Sequence, residues 1–143
     1  RTNLPGRIME KNAKEIISTM KITTFNPLII SKDAENIIKL FEELGFEKRH
    51  APVVPLETGD ITDTRLKDAN GNYVDVADQK LLSQDAMAIR MNVDNFEEAY
   101  DLLEKHGFKN TRDDRVLVAR TSREATMVSR SGLTIVLVRH VKD

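Results

Sequence analysis

Two stretches of the chain, Lys32 to Phe46 and Asp94 to Phe108, place hydrophobic residues at helical spacing. The apolar positions are Ile37, Ile38, Leu40, Phe41 and Leu44 in the first stretch and Phe96, Ala99, Tyr100 and Leu103 in the second. They fall on one side of a helix with about 3.6 residues per turn. Both stretches end in Gly-Phe, and glycine readily takes a positive φ angle at a helix C-terminus. The pattern predicts two short helices.

The two helical stretches align without a gap when Lys32 is placed over Asp94, so the chain repeats itself at a spacing of about 62 residues. A strand-sized apolar run precedes each helix, Ile22 to Ile30 in one case and Met87 to Val93 in the other. The two copies share their order and their register, which indicates a duplicated supersecondary unit.

A second pair of matching segments follows the helices. Lys67 to Val76 aligns with Val128 to Leu137, and each segment carries a hairpin glycine ahead of a β-rich run. One further strand is expected between each helix and its hairpin, near Glu47 to Val54 and near Arg115 to Ala119. Each copy is therefore predicted as a strand, a helix and three strands.

The length of 143 residues suits a single domain with its own core. We expect residues 1–19 to be a leader or an N-terminal extension outside the fold. The domain is expected to span 20–143, with module one at about 20–80 and module two at about 84–143. The expected fold class is α+β, with two tandem βαβββ modules forming curved mixed sheets around a cleft.

Charge and cysteine content exclude several function classes. The 22 basic residues nearly cancel the 23 acidic ones, and no block of like charge favours nucleic acid or an anionic membrane as a partner. The apolar runs are shorter than the roughly 20 residues that a membrane helix needs. The chain has no cysteine, so it has neither disulfides nor a thiolate nucleophile, and we expect it in the cytoplasm.

The helix that ends in Leu44-Gly45-Phe46 and the turn Lys67-Asp68-Ala69-Asn70-Gly71-Asn72, together with the opening strand, resemble the vicinal-oxygen-chelate superfamily. This superfamily contains glyoxalases, extradiol dioxygenases and bleomycin-resistance proteins. The turn Ser129-Arg130-Ser131-Gly132 is similar and lies in the second module. The resemblance extends from Met20 to about His140. It implies the fold and leaves the function open, because this superfold hosts several unrelated activities.

The resemblance also implies where a divalent metal would bind. Catalytic members hold the ion with a His or Glu on the first strand of each module and a Glu on the last strand of each. Carried over to this chain, the four positions fall on Asp75 and Val136 in the last strands, and on Phe25 or Asn26 and Met87 or Ala88 in the first strands. A catalytic metal site needs about three suitable protein ligands. We therefore expect no metal and no other cofactor.

The histidines offer no replacement for the missing ligands. His106 precedes a helix-ending glycine, where a cation suits the helix dipole, and His50 and His140 are expected at strand ends. Their spacing contains no metal-ligand motif. A relocated metal site, or acid–base chemistry by Asp75 and a histidine, is the alternative.

Alternation along Met87 to Val93 separates the two faces of a strand. Met87, Ile89, Met91 and Val93 are expected to pack under the helix, which directs Arg90 and Asn92 into the cleft. A guanidinium binds a carboxylate, phosphate or enolate through two hydrogen bonds. Alternatively, Arg90 pairs with Asp75 across the cleft. The predicted ligand-binding residues are Arg90, Asp75, Tyr73, Asn92 and Arg65.

These patterns favour a small-molecule binding protein of the bleomycin-resistance type that needs no metal. The alternatives are a lyase or isomerase like glyoxalase I, a dioxygenase-like enzyme with a non-standard metal site, and a structural or regulatory subunit. We also expect a homodimer with two-fold symmetry, because a pair of sheets leaves edge strands that proteins normally cover. Whether the modules pair within one chain or between chains is left open by the sequence.

Overall fold

A computed structural model of the protein describes residues 20–51, 53–54, 61–118 and 122–140 and has an α+β fold. Module one contains β1 (Ile22–Ser31), α1 (Ala34–Glu43), β2 (Glu47–His50), β3 (Val53–Val54), β4 (Ile61–Lys67) and β5 (Tyr73–Asp78). Module two contains β6 (Ala86–Val93), α2 (Phe96–Lys105), β7 (Lys109–Asn110), β8 (Leu117–Val118), β9 (Ser122–Val128) and β10 (Thr134–His140). The expected leader, residues 1–19, lies outside the described residues.

The strands of both modules form one curved, mixed sheet. Their order is β2-β4-β5-β1-β6-β10-β9-β7, with β3 paired to β4 and β8 paired to β9. At its centre β1 and β6 run antiparallel, with Pro27 opposite Ile89. Each of these strands also runs parallel to the last strand of its own module, β1 with β5 and β6 with β10. The two modules therefore join within one chain and form a half-barrel.

Both helices lie on the outer face of the sheet. Helix α1 packs on a buried cluster that includes Leu66 and Val76, and α2 packs on one that includes Met127 and Leu137. Leu66, Met127 and Leu137 are 0% exposed. No helix in the described ranges is long and apolar enough to cross a membrane.

The predicted helix ends are confirmed. Gly45 and Gly107 have φ angles of +105° and +88°, in the left-handed region that favours glycine. At its N-terminus α2 is capped by Asn95, whose side chain accepts a hydrogen bond from the Glu98 backbone N–H at 3.1 Å. Asp33, which precedes α1, makes no such side-chain bond.

The predicted middle strands are shorter than expected. In module one the stretch from Glu47 to Val54 contains two strands, β2 and β3, which both pair with β4. In module two β8 covers only Leu117–Val118 of the predicted strand, and Ala119 lies outside the described residues. The separate strand β7 precedes β8, and a turn that contains Asp113 at a φ angle of 59° divides the two.

The prediction that all four apolar residues of β6 pack under the helix is wrong for the first half of the strand. Met91 and Val93 are buried in the cluster under α2, but Met87 is 70% exposed and Ile89 is only half-buried. The reason is that the α2 cluster reaches only the second half of β6. Leu40 and Leu44 of the first helical stretch are likewise exposed.

Candidate ligand-binding cleft

The concave face of the sheet carries the side chains that alternate with those facing the helices. Asn26 on β1 and Ala88 on β6 are buried on this face, whereas Phe25 and Met87 lie on the outer face and are 61% and 70% exposed. The register left open by the sequence is thereby settled. Of the alternatives that the sequence left open, Asn26 and Ala88 are the residues that face the cleft.

Asp75 lies at the centre of the cleft and is 2% exposed. Its Oδ1 accepts a hydrogen bond from Asn26 Nδ2 at 3.0 Å and lies 3.6 Å from Arg65 Nη1. Its Oδ2 lies 3.6 Å from Arg90 Nε. A buried carboxylate requires such partners, because an unpaired charge is costly to bury. The alternative in which Arg90 pairs with Asp75 is confirmed.

The other two predicted residues lie to the side of this cluster. The guanidinium carbon of Arg65 is 4.3 Å from the centroid of the Tyr73 ring, a cation–π contact that helps to hold the arginine in place. The side-chain oxygen of Asn92 accepts a hydrogen bond from the His140 backbone N–H at 3.2 Å. The structure thus groups three of the five predicted residues, places Tyr73 against one of them, and uses Asn92 at a strand end.

A cavity of about 150 Å³ opens beside the Asp75 cluster. Its polar wall contains Asp63, Arg90, Arg112 and Glu124. Its apolar wall includes Leu28, Ile30, Ile61, Ala77 and Val136. Small-molecule sites commonly combine mostly apolar walls with a few polar groups that orient the ligand. This cavity has that composition.

Three charged residues of the cavity were not predicted from the sequence. Asp63 on β4 and Glu124 on β9 occupy equivalent places in the two modules, since Asp63 is paired with Ala77 and Glu124 with Val138. The alignment of the two hairpin segments, carried a few residues further back, would have found this pair. Arg112 lies in the turn after β7, where no repeat marks it.

Both carboxyl groups of the cavity are shifted towards the neutral form. Burial raises the pKa of Asp63 to about 8, together with the charge of Asp75 and a hydrogen bond that the two carboxyls share. Burial also raises the pKa of Glu124, against the opposing effect of Arg90 and Arg112. Asp63 is therefore mostly protonated at neutral pH and can donate a hydrogen bond.

Two buried atoms at the cavity lack hydrogen-bond partners within the described part of the chain. They are Oδ1 of Asp63 and Nη1 of Arg90. Leaving a buried polar atom unpaired costs about 1 to 3 kcal/mol, and folded proteins rarely do so without a functional reason. Both residues line the same cavity. A bound molecule with a suitable acceptor and donor would satisfy both atoms.

The residues at the superfamily's metal positions do not fit a divalent ion. Ala88 and Val136 have no donor atom, and Asp75 is already held by Asn26 and two arginines, whose charges repel a cation. Among the residues that the structure describes, no group of three or more His, Asp or Glu side chains is placed to hold a metal. The charged groups of this cleft are the guanidinium groups of arginines and the carboxyl groups of acidic residues.

The histidines lie at exposed element ends, as expected. His50 ends β2, His140 ends β10, and His106 follows the last residue of α2. None of them is among the described residues that line the cavity. The alternative that pairs Asp75 with a histidine therefore lacks a histidine in the described cavity lining. The acids that line the cavity and feel the charge of Asp75 are Asp63 and Glu124.

Several solved structures share this fold. A crystal structure of a methylmalonyl-CoA epimerase aligns with a TM-score of 0.62 at 17% identity and covers 82% of this chain and 94% of that chain. A hypothetical protein from Bacillus halodurans aligns with a TM-score of 0.64 at 11% identity and covers 88% and 98%. Glyoxalase I from Zea mays aligns with a TM-score of 0.60 at 14% identity and covers 85% of this chain and 44% of that chain.

No protein-family model matches the sequence, and no curated protein matches it. The fold is nevertheless identified by the duplicated βαβββ unit, by the half-barrel with helices on its outer face and by the structural alignments. The chain has the fold of the vicinal-oxygen-chelate superfamily. At these low identities the likeness concerns the fold, and the function has to be argued from the cleft itself.

Proposed function

We propose that the protein binds a small molecule in the concave cleft without a resident metal ion, in the manner of a bleomycin-resistance-type protein that sequesters its ligand. The observation that carries this proposal is the pair of buried, unpartnered atoms, Asp63 Oδ1 and Arg90 Nη1, on the wall of one cavity. In a binding site, the ligand can supply the hydrogen bonds that such groups lack in the free protein. The unsuitable donor set at the metal positions supports the metal-independent form of the proposal.

A thermal-shift screen in the presence of a chelator tests this function. A ligand that binds only the native state raises its stability by about 2.7 kcal/mol at a hundred times its Kd. Arg90→Met should abolish the shift, and circular dichroism should show that the variant is still folded, because Arg65 still pairs with Asp75. Arg130→Met, at the exposed turn before β10, is the matched control and should keep the shift.

Two results would contradict the proposal. One is a broad screen in which neutral, anionic and cationic compounds all leave the melting temperature unchanged. The other is binding that appears only after a divalent metal is added and that elemental analysis assigns to one equivalent of tightly held ion.

An isomerase is the second candidate, and the equivalent positions of Asp63 and Glu124 favour it. Both acids line the same cavity and both have raised pKa values. An ionised carboxyl on one module would remove a proton from a substrate carbon, and the protonated carboxyl on the other would return one. Methylmalonyl-CoA epimerase and glyoxalase I share the fold.

Hydrogen exchange separates binding from isomerisation. A bound compound incubated with the enzyme in D₂O should exchange one carbon-bound hydrogen, as followed by NMR, if the two acids work as a pair. Asp63→Asn and Glu124→Gln should each stop the exchange. A ligand that binds tightly and shows no exchange with the wild-type protein would leave sequestration as the function.

We also propose that the protein is a cytoplasmic homodimer. The dimer is supported by the exposed apolar residues Phe25 and Met87 on the outer face and by the open sheet edges at β2 and β7. Light scattering at tens of micromolar protein should report twice the mass of one chain. A monomeric mass would remove the dimer from consideration.

A further inference from the structure

We infer that the ligand is a small monoanionic acid with an apolar body, held with its anionic group at Arg90 and Arg112 and its apolar part against Leu28, Ile30 and Ile61. This inference rests on the proposed binding function and specifies its ligand class. It excludes cationic ligands such as amines and large multiply charged ligands. The polar and apolar walls of one cavity define the two ends of the molecule.

The arginines supply the anion-binding end. The Nε atom of Arg90 faces Asp75 at 3.6 Å, while its Nη1 atom is buried and has no hydrogen-bond partner among the described residues. The guanidinium therefore retains a donor that Asp75 does not use. Arg112 lines the same cavity and acts on the charge of Glu124. Guanidinium groups bind carboxylates with good geometry and remain charged at all relevant pH values.

The charge balance of the cavity also favours an anion. Asp75 is matched by Arg65 on one side, which leaves Arg90 and Arg112 opposite Asp63 and Glu124. The two acids would cancel the two arginines only if both were ionised. Because burial raises the pKa of Asp63 to about 8, that acid is mostly neutral near pH 7, and the arginines keep uncancelled positive charge. The neutral carboxyl of Asp63 adds no negative charge that would repel the anion.

The remaining walls select an apolar body of limited size. Leu28, Ile30, Ile61 and Val136 are aliphatic, and they offer dispersion contacts without hydrogen bonds. The volume is about 150 Å³, and an apolar cavity of that size holds a molecule about as large as benzene. A single ring or a short branched chain therefore fills the apolar end while its acidic group reaches the arginines.

Three probes that each carry one phenyl ring test the inference: the anion benzoate, the neutral benzamide and the cation benzylamine. NMR titration of the isotope-labelled full chain gives a Kd for each and shows which resonances move. Benzoate should bind at least about tenfold more tightly than benzamide, which corresponds to about 1.4 kcal/mol, and benzylamine should not bind at all. The resonances that shift should belong to Leu28, Ile30 and Ile61.

Substitutions of the two arginines test whether they bind the carboxylate of benzoate. Arg90→Met and Arg112→Met should each weaken benzoate binding about tenfold or more and leave benzamide binding unchanged. Arg130→Met is the matched control and should bind benzoate like the wild type. Circular dichroism checks that each variant is folded, and Glu124→Gln, which removes a negative charge, should bind benzoate as tightly as the wild type or more tightly.

The possible failures are distinguishable. If benzamide or benzylamine binds as well as benzoate, the ligand class is wrong and the binding function stands. If no probe binds while the broad screen finds another ligand, the inference is overturned and the proposed function survives. If neither the probes nor the screen yields a ligand, both fall. Unchanged benzoate binding in both arginine variants would also overturn the inference.

Discussion

The two modules carry similar residues where they face the helices and different residues where they face the cleft. On the helix side, Leu66 of module one and Met127 of module two occupy equivalent places on β4 and β9, and both are fully buried. On the cleft side, Asp75 of module one is matched by Val136 of module two, and Asn26 is matched by Ala88. Both copies of the repeat keep apolar residues under the helices, whereas Asn26, Arg65 and Asp75 of the polar cluster lie on module one and only Arg90 comes from module two.

One pair departs from that division. Asp63 and Glu124 are acidic in both modules although they face the cleft, and both line the cavity. A buried acid destabilises a fold unless it is paired or neutral, so its presence twice is not explained by packing. The cleft therefore combines an asymmetric ion-pair cluster, centred on Asp75, with a symmetric pair of acids.

The largest effects are expected from substitutions in the apolar cores of the two modules. Leu66→Ala and Met127→Ala each remove a fully buried side chain, and each should lower the free energy of unfolding by about 2 to 5 kcal/mol. Chemical denaturation followed by circular dichroism measures both. Leu81→Ala, at a side chain that is 79% exposed, is the control and should change the stability by less than about 0.5 kcal/mol.

Because the sheet is continuous across β1 and β6, both core variants should unfold in one transition. A large loss for one variant and none for the other, or two separate transitions, would show that the modules do not share one cooperative fold.

The symmetric acids predict a pH dependence of stability. The pKa of Asp63 is raised to about 8 in the folded protein, from about 3.9 in an unfolded chain. Between these values the folded state binds a proton that the unfolded state has lost. This contribution to stability is therefore present at low pH and is lost as the pH rises towards the folded pKa. Asp63→Asn, which cannot ionise, should flatten the decline.

The slope from one such group is at most about 1.4 kcal/mol per pH unit. Urea denaturation across this range measures it for the wild type and for Asp63→Asn. Glu124→Gln should act in the same direction, since burial raises that pKa too. Asp101→Asn, on the exposed side of α2, should keep the wild-type slope. Equal slopes in all four proteins would mean that neither cavity acid is protonated in the folded state.

Much of the fold could be predicted from the sequence because repetition and periodicity record it directly. The spacing between the two Gly-Phe helix ends, at Gly45 and Gly107, located both modules and their helices. The alternation in β6 correctly directed Arg90 into the cleft. The alternation of apolar and polar residues along a strand does not reveal which part of that strand a helix covers. For this reason the prediction that Met87 packs under α2 is wrong.

The site was less predictable because its residues meet only after folding. Asp75 and Arg90 come from different modules and are joined through the pairing of β1 with both β5 and β6. The raised pKa of Asp63 depends on burial and on Asp75, neither of which is visible in the sequence of β4. Arg112 enters the cavity from a turn with no periodic pattern.

The smallest expected effect tests how far α2 covers β6. Ile89→Ala should lower the free energy of unfolding by only about 1 kcal/mol, because the side chain is half-buried and lies beyond the α2 cluster. Met91→Ala, inside that cluster, should cost about 2 to 5 kcal/mol. Chemical denaturation at two protein concentrations measures both. An Ile89→Ala cost as large as that of Met91→Ala at the lower protein concentration would show that α2 covers this half of β6 as well. An additional cost that grows with protein concentration would instead report the dimer contact proposed for this outer face.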